Sequence, residues 1–129
     1  MTGKKVTVAV IGMGGYGLHY VERVLNNSDE LNIACVGMVD VYPEKCKFIE
    51  EVRAKNIPVY GSIEELYENH TPELVFISTP IQFHYPQACY AMEHGSNVLC
   101  EKPAAATKED VEKMIEISKK SNFLLLLLH

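Results

Sequence analysis

Short apolar runs alternate with amphipathic segments along nearly the whole chain, and each change of period predicts a change of element. Residues 5–11 form a β-branched run that reads as a buried strand, followed by a helix over about 15–27. Its apolar positions Tyr16, Tyr20, Val21, Val24 and Leu25 follow helical spacing, and Asn26, Asn27 and Ser28 close it. A second strand covers 33–39. Pro43, followed by Glu44, suits the first turn of a second helix running through about Lys55.

Pro58, Val59 and Tyr60 make a short third strand, and Ser62 with Glu65 three residues on forms a capping box for a short helix ending near Asn69. Strand four is Leu74 to Ser78. A helix from about Tyr85 to His94 stops at Gly95, and strand five is Asn97 to Cys100. Thr107 caps a last helix over 108–121 that buries Val111, Met114, Ile115 and Ser118, before a sixth strand from Phe123 to Leu128.

Strands alternating with helices through short loops call for an α/β fold, with a doubly wound parallel sheet and helices on both faces. Six strands with a glycine turn after the first predict the order 3-2-1-4-5-6, with a ligand site beside strands one and four. No linker, repeat or low-complexity tract divides residues 1–129, so they read as one domain. A pentaleucine ending directly in His129 reads as a chain cut at a domain boundary, because such a strand usually feeds another element.

Composition narrows the picture. The net charge of −5 over 129 residues argues against a nucleic-acid surface, which usually carries a basic patch. Cys35, Cys46, Cys89 and Cys100 show no paired spacing, and no histidine spacing suits zinc, so no metal site is expected. They read as free cytosolic thiols, with Cys35 and Cys100 acting as small buried hydrophobes. Lys4 and Lys5 precede an apolar run, but that run is the first strand and not an export signal. Phe123 to Leu128 is far short of the ~20 residues that span a bilayer.

The sharpest chemistry lies in Gly12-Met13-Gly14-Gly15-Tyr16-Gly17, where three glycines stand at G-x-G-x-x-G spacing directly after a strand. Gly12 permits a tight strand-to-helix turn, Gly14 lets backbone approach a pyrophosphate, and Gly17 lets the helix pack close to the strand. The helix start then offers N–H groups and its positive dipole end to phosphates. This is the fingerprint of a Rossmann-type dinucleotide site.

Asp40 ends the second strand twenty-three residues after Gly17, close to the ~20 expected of an acid that binds the adenosine ribose. Its carboxylate accepts from both ribose hydroxyls, whereas the 2′-phosphate of NADP would place like charges together. At ~4 Å and an effective dielectric near 20 the repulsion is roughly 4 kcal/mol, about a thousandfold in affinity before screening. NAD is therefore expected over NADP. The plainer alternative is that Asp40 only caps the turn before Pro43; Lys45 is the nearest following cation.

Two further segments fall at strand ends on the same edge of the sheet. Ser78-Thr79-Pro80 follows strand four, and Thr79 and Pro80 can line the floor under a cofactor, with His84 shortly after. Glu101-Lys102-Pro103 follows strand five, and Pro103 biases Lys102 toward extended geometry, which holds the lysine at the mouth of the site. A lysine there can hydrogen-bond a substrate hydroxyl or a nicotinamide ribose and take part in proton transfer. Taken singly, His84 reads equally as a solvent-facing residue and Lys102 as a solvated loop lysine. His19, His70 and His94 read as surface residues, and Tyr16 either covers the pyrophosphate or packs at the helix start.

Together, GMGGYG at 12–17, VD at 39–40, STPIQFHYPQA at 78–88 and EKPAA at 101–105 resemble the nucleotide-binding half of the Gfo/Idh/MocA oxidoreductases, which include glucose-fructose oxidoreductase and inositol dehydrogenases. The resemblance covers essentially the whole chain. It implies that Lys102 reaches the nicotinamide and the substrate hydroxyl, that Thr79, Pro80 and His84 line the nicotinamide side, and that Glu101 lies beside the cofactor. The implied reaction is reversible oxidation of a secondary alcohol of a sugar or cyclitol, with hydride passing to the nicotinamide.

Family members carry a second α/β domain that supplies further acid/base residues and sugar contacts, and 129 residues leave no room for it. The expectation is a cytoplasmic chain that binds NAD(H) but has little or no activity alone, since it cannot orient a substrate. The alternative is a stand-alone nucleotide-sensing or interaction module, with its apolar edge strand covered by a partner or a second copy. A methyltransferase on a similar sheet is weaker, because it leaves Glu101-Lys102-Pro103 unexplained.

Overall fold

The structure, a computed structural model, describes residues 4–127. Six strands, β1 (Val6–Ile11), β2 (Ile33–Val39), β3 (Val59–Tyr60), β4 (Leu74–Ile77), β5 (Asn97–Cys100) and β6 (Leu125–Leu127), alternate with five α-helices. These are α1 (Gly17–Leu31), α2 (Ile49–Ala54), α3 (Ile63–Asn69), α4 (Ile81–Glu93) and α5 (Lys108–Ser121). The strands form one sheet in the order β3-β2-β1-β4-β5-β6, and every neighbouring pair is parallel. This is the expected doubly wound α/β fold. Leu128 and His129 lie outside the described residues.

Alternation along β1 sorts its side chains into two cores. Val8 and Val10 join Val21, Val24 and Leu25 of α1 and Ile49 and Val52 of α2 on one face. Ala9 and Ile11 join Ile63 and Leu66 of α3, Ala88 and Met92 of α4 and Met114 of α5 on the other. Burial on both faces is what demands the near-continuous apolar strands of a parallel sheet.

Several boundaries differ from the sequence expectation. Helix α1 runs past Asn26–Ser28 to Leu31 and closes at Asn32, whose φ of 58° is left-handed. The Ser28 hydroxyl donates to the Val24 carbonyl, and Asn27 Nδ2 donates to Glu30 Oε1 at 2.7 Å, so both polar side chains find partners without ending the helix. The helix expected over 43–55 is broken. A 3₁₀ turn at Pro43–Lys45 ends at Cys46, whose ψ of 128° is extended, and α2 follows only at Ile49.

Helix α4 starts at Ile81 instead of Tyr85, with Pro86 inside it. Pro86 is exposed, so water can serve the carbonyl that proline leaves without a helical donor. In α5 Met114 is fully buried, but Ile115 is 42% exposed, and Ile117 packs against the core in its place. Ser118 is half-buried and donates to the Phe123 carbonyl at 2.6 Å. Both caps form: Ser62 Oγ accepts from Glu65 N–H at 3.2 Å, and Thr107 Oγ1 from Asp110 N–H at 3.1 Å, although the Glu65 carboxylate meets the Ser62 hydroxyl at 3.4 Å in place of the backbone N–H that a full capping box would use.

Candidate functional site

The glycine turn joins β1 to α1 at the carboxyl edge of the sheet, between β2 and β4. Gly12 has φ +96°, and a Cβ built there would lie 3.0 Å from Ser78 and Thr79 backbone atoms. A Cβ on Gly17 would sit 1.9 Å from the Gly12 carbonyl oxygen, so the helix packs on the strand end only because that position is bare. Gly14 is different. Nothing lies within 4 Å of a Cβ there, which leaves open space over the turn for a ligand. Gly15 completes the turn at φ +54°.

Asp40 stands at the end of β2 beside this turn. Its Oδ2 accepts from Met13 N–H at 2.9 Å and its Oδ1 from Tyr42 N–H at 2.8 Å. The second contact is the turn cap read from sequence, and the first ties the carboxylate to the glycine loop. Each carboxylate oxygen keeps a further acceptor site. Beyond it, Lys45 Nζ lies 4.9 Å from the Tyr42 ring centroid, a cation resting on an exposed aromatic face.

Among the described residues the N–H groups of Gly14, Gly15 and Tyr16 donate to nothing. Ser78, directly after β4, adds an orphan: its Oγ is buried without a hydrogen-bond partner. Free donors at a helix start, space over Gly14, an unpartnered hydroxyl and an acceptor carboxylate together suit a ligand that carries both phosphate and hydroxyl groups.

Thr79 and Pro80 continue from β4 into α4. Thr79 Oγ1 donates to Gln87 Oε1 at 2.5 Å, while Pro80 is exposed at the helix start. His84 is 3% exposed, so it is not the solvent-facing residue that position alone allows. Its Nε2 lies 2.6 Å from the Thr79 carbonyl oxygen and its Nδ1 2.8 Å from that of Pro103. The ring thus fastens the segment after β4 to the segment after β5.

Lys102 is exposed, and its peptide bond to Pro103 is cis. Glu101 is half-buried and accepts a hydrogen bond from the Tyr20 hydroxyl of α1. The Tyr20 ring stacks on Phe76 with centroids 4.9 Å apart. Burial, reinforced by the Glu101 carboxylate, pushes the Tyr20 phenol up, so the hydroxyl stays a donor. Helical spacing alone had placed Tyr20 among apolar core positions. A hydroxyl on the sheet-facing stripe of the glycine helix was the only signal of its polar contact.

The remaining candidates stand apart. Tyr16 is 69% exposed with its ring 6.4 Å from that of His19, so it does not pack into the core. His94 is exposed and stacks on Tyr90 at 3.9 Å. Cys100 is fully buried, whereas Cys35 is only partly so. Among the described residues no cluster of three metal-ligating side chains exists, and no helix is long and apolar enough to cross a membrane. A surface depression lined by Arg53, Asn56 and Ile57 contains none of the glycine-turn residues.

Comparison with known proteins agrees with this geometry. The family model described as "Oxidoreductase family, NAD-binding Rossmann fold" matches residues 6–129. A glycosyl hydrolase family 109 protein of Porphyromonas gingivalis is 34% identical over 124 residues, covering 90% of this chain and 26% of that protein. An inositol 2-dehydrogenase of Corynebacterium glutamicum is 28% identical over 120 residues, covering 91% and 34%. This chain therefore spans about a quarter to a third of the length of these relatives. The WlbA dehydrogenase of Chromobacterium violaceum, solved with NADH and UDP-GlcNAcA, superposes with a TM-score of 0.85 at 21% identity, covering 99% of this chain and 36% of that one. The match over residues 6–129 and the glycine turn, acid and strand-end segments found along one sheet edge lead to one conclusion: the chain belongs to the Gfo/Idh/MocA oxidoreductase family, as its NAD-binding Rossmann-fold domain.

Proposed function

We propose that this chain is the NAD(H)-holding part of an oxidoreductase that acts on a secondary alcohol of a sugar, cyclitol or related polyol. The observation that carries the reading is the convergence, on one sheet edge, of the open turn at Gly14, the Asp40 carboxylate and the exposed Lys102. The name of the inositol 2-dehydrogenase relative supports the substrate class.

In this reading the N–H groups of Gly14, Gly15 and Tyr16 hold the pyrophosphate, with Met13 and Gly12 shaping the turn. Asp40 accepts from the adenosine ribose and disfavours a 2′-phosphate, which makes NAD preferred over NADP. Ser78, Thr79 and Pro80 form the floor toward the nicotinamide. When bound, NAD supplies the hydride acceptor. Lys102 would reach both the nicotinamide end of the cofactor and the substrate oxygen, orienting the latter by hydrogen bonding and relaying its proton to solvent as the carbinol hydrogen leaves with its electron pair.

Two relatives matched over nearly the same residues carry names for different reactions, a dehydrogenase and a glycosyl hydrolase. That contrast favours a division of labour in which this domain brings the cofactor and sequence outside it selects substrate and net reaction. Residues 1–129 alone are then a binding unit. The test is to follow NADH formation at 340 nm with NAD and myo-inositol, alongside NADH binding by fluorescence. Binding without turnover supports the reading. Turnover at about 1 s⁻¹ or faster, the range of intact enzymes, overturns the division.

A further inference from the structure

We infer that Tyr20 and His84 are a pair of positioning residues that hold the Glu101–Pro103 loop, and with it Lys102, at a fixed point over the cleft. The inference deepens the proposed function and rests on its reading of Lys102. Tyr20 comes from α1, on one face of the sheet, and its hydroxyl donates to the Glu101 side chain. His84 comes from α4, on the opposite face, and its ring reaches the Pro103 carbonyl at 2.8 Å. The two residues flanking Lys102 are therefore gripped from both helix layers, while Lys102 Nζ has no partner among the described residues.

Both anchors are themselves fixed. The Tyr20 ring lies nearly parallel to Phe76, with an interplanar angle of 6°. His84 is 3% exposed and its second nitrogen is 2.6 Å from the Thr79 carbonyl oxygen. Both ring nitrogens lie at hydrogen-bond distance from carbonyl oxygens, so the ring is held between the segment after β4 and the segment after β5. A buried imidazole and a half-buried phenol converging on one tripeptide leave a flexible lysine with a rigid base, which narrows where its ammonium can reach.

The test is a set of double-mutant cycles read by NADH fluorescence, with ADP-ribose as the ligand that reports the adenosine and pyrophosphate half alone. Tyr20→Phe and His84→Leu are each expected to weaken NADH by roughly three- to tenfold, the worth of a hydrogen bond. ADP-ribose affinity should stay within about twofold, which shows that the domain remains folded. His84→Gln, which keeps a donor, should recover part of the loss. In a Lys102→Ala background both effects should vanish, because positioning residues act through the residue they hold.

Losses that persist undiminished in the Lys102→Ala background, or that fall equally on NADH and ADP-ribose, overturn the positioning role. If Lys102→Ala alone binds NADH as the unmodified chain does, the reading of Lys102 itself fails and the positioning role fails with it.

Discussion

The Asp40 carboxylate accepts the Met13 N–H at 2.9 Å, which couples the end of β2 to the turn that opens α1. One side chain therefore shapes the glycine loop and, in the proposed function, accepts from the ribose. Asp40→Ala should weaken NADH by at least about tenfold, the loss of charge-assisted hydrogen bonds. NADPH affinity should fall less or rise, because the like-charge repulsion disappears. Parallel fluorescence titrations check this, and equal losses for both cofactors would remove Asp40 from the selectivity argument.

Gly14 and Gly17 should separate binding from folding. Gly17→Ala drives a Cβ to 1.9 Å from the Gly12 carbonyl oxygen, a backbone clash with no flexible side chain to yield, and should cost at least about 3 kcal/mol. Gly14→Ala meets nothing within 4 Å and should keep stability within about 0.5 kcal/mol. Its methyl would instead occupy the space proposed for the pyrophosphate, so NADH affinity should drop sharply. Urea unfolding and NADH titration of the two variants read the two effects apart.

Alkaline pH should unfold the domain through its thiols. Burial pushes Cys35 up to about 11. Burial with the charges of Glu93 and Asp110 does the same for Cys89, and burial with Glu101 takes Cys100 up to about 12. Below the ordinary thiol value near 9, folded and unfolded chains hold the same thiol protons. Between there and the folded values the unfolded chain releases protons that the native one keeps, so stability falls as pH rises. Urea midpoints at steps from pH 8 to pH 11 should decline, with a shallower slope in Cys100→Ala.

Thr107 carries a local prediction. Its Oγ1 accepts from Asp110 N–H at the start of α5, so Thr107→Ala should cost about 1 kcal/mol. For a domain of this size that lowers Tm by roughly 4 °C, measurable by calorimetry. Thr107→Ser, which keeps the acceptor, should restore most of it.

The strand order was legible because a sheet buried on both faces leaves a strong mark: the buried stretches at residues 8–11 and 37–39 lie within apolar runs that alternate with helical segments. Helix ends were less legible. Asn26, Asn27 and Ser28 carry terminator chemistry, yet Ser28 and Asn27 satisfy themselves within α1, and the helix expected from about Tyr85 begins at Ile81, with Pro86 inside it. The edge that gathers Gly12, Asp40, Ser78 and Lys102 followed from strand order alone. The roles of Tyr20 and His84 did not, since their partners lie 81 and 19 residues away and only the closed fold brings them into contact.

Calorimetric titration of the chain with NADH and with NADPH, side by side, tests the central claim most directly. The account predicts saturable one-to-one binding of NADH, with NADPH weaker by at least about tenfold. Saturation by neither cofactor in a folded sample would contradict it.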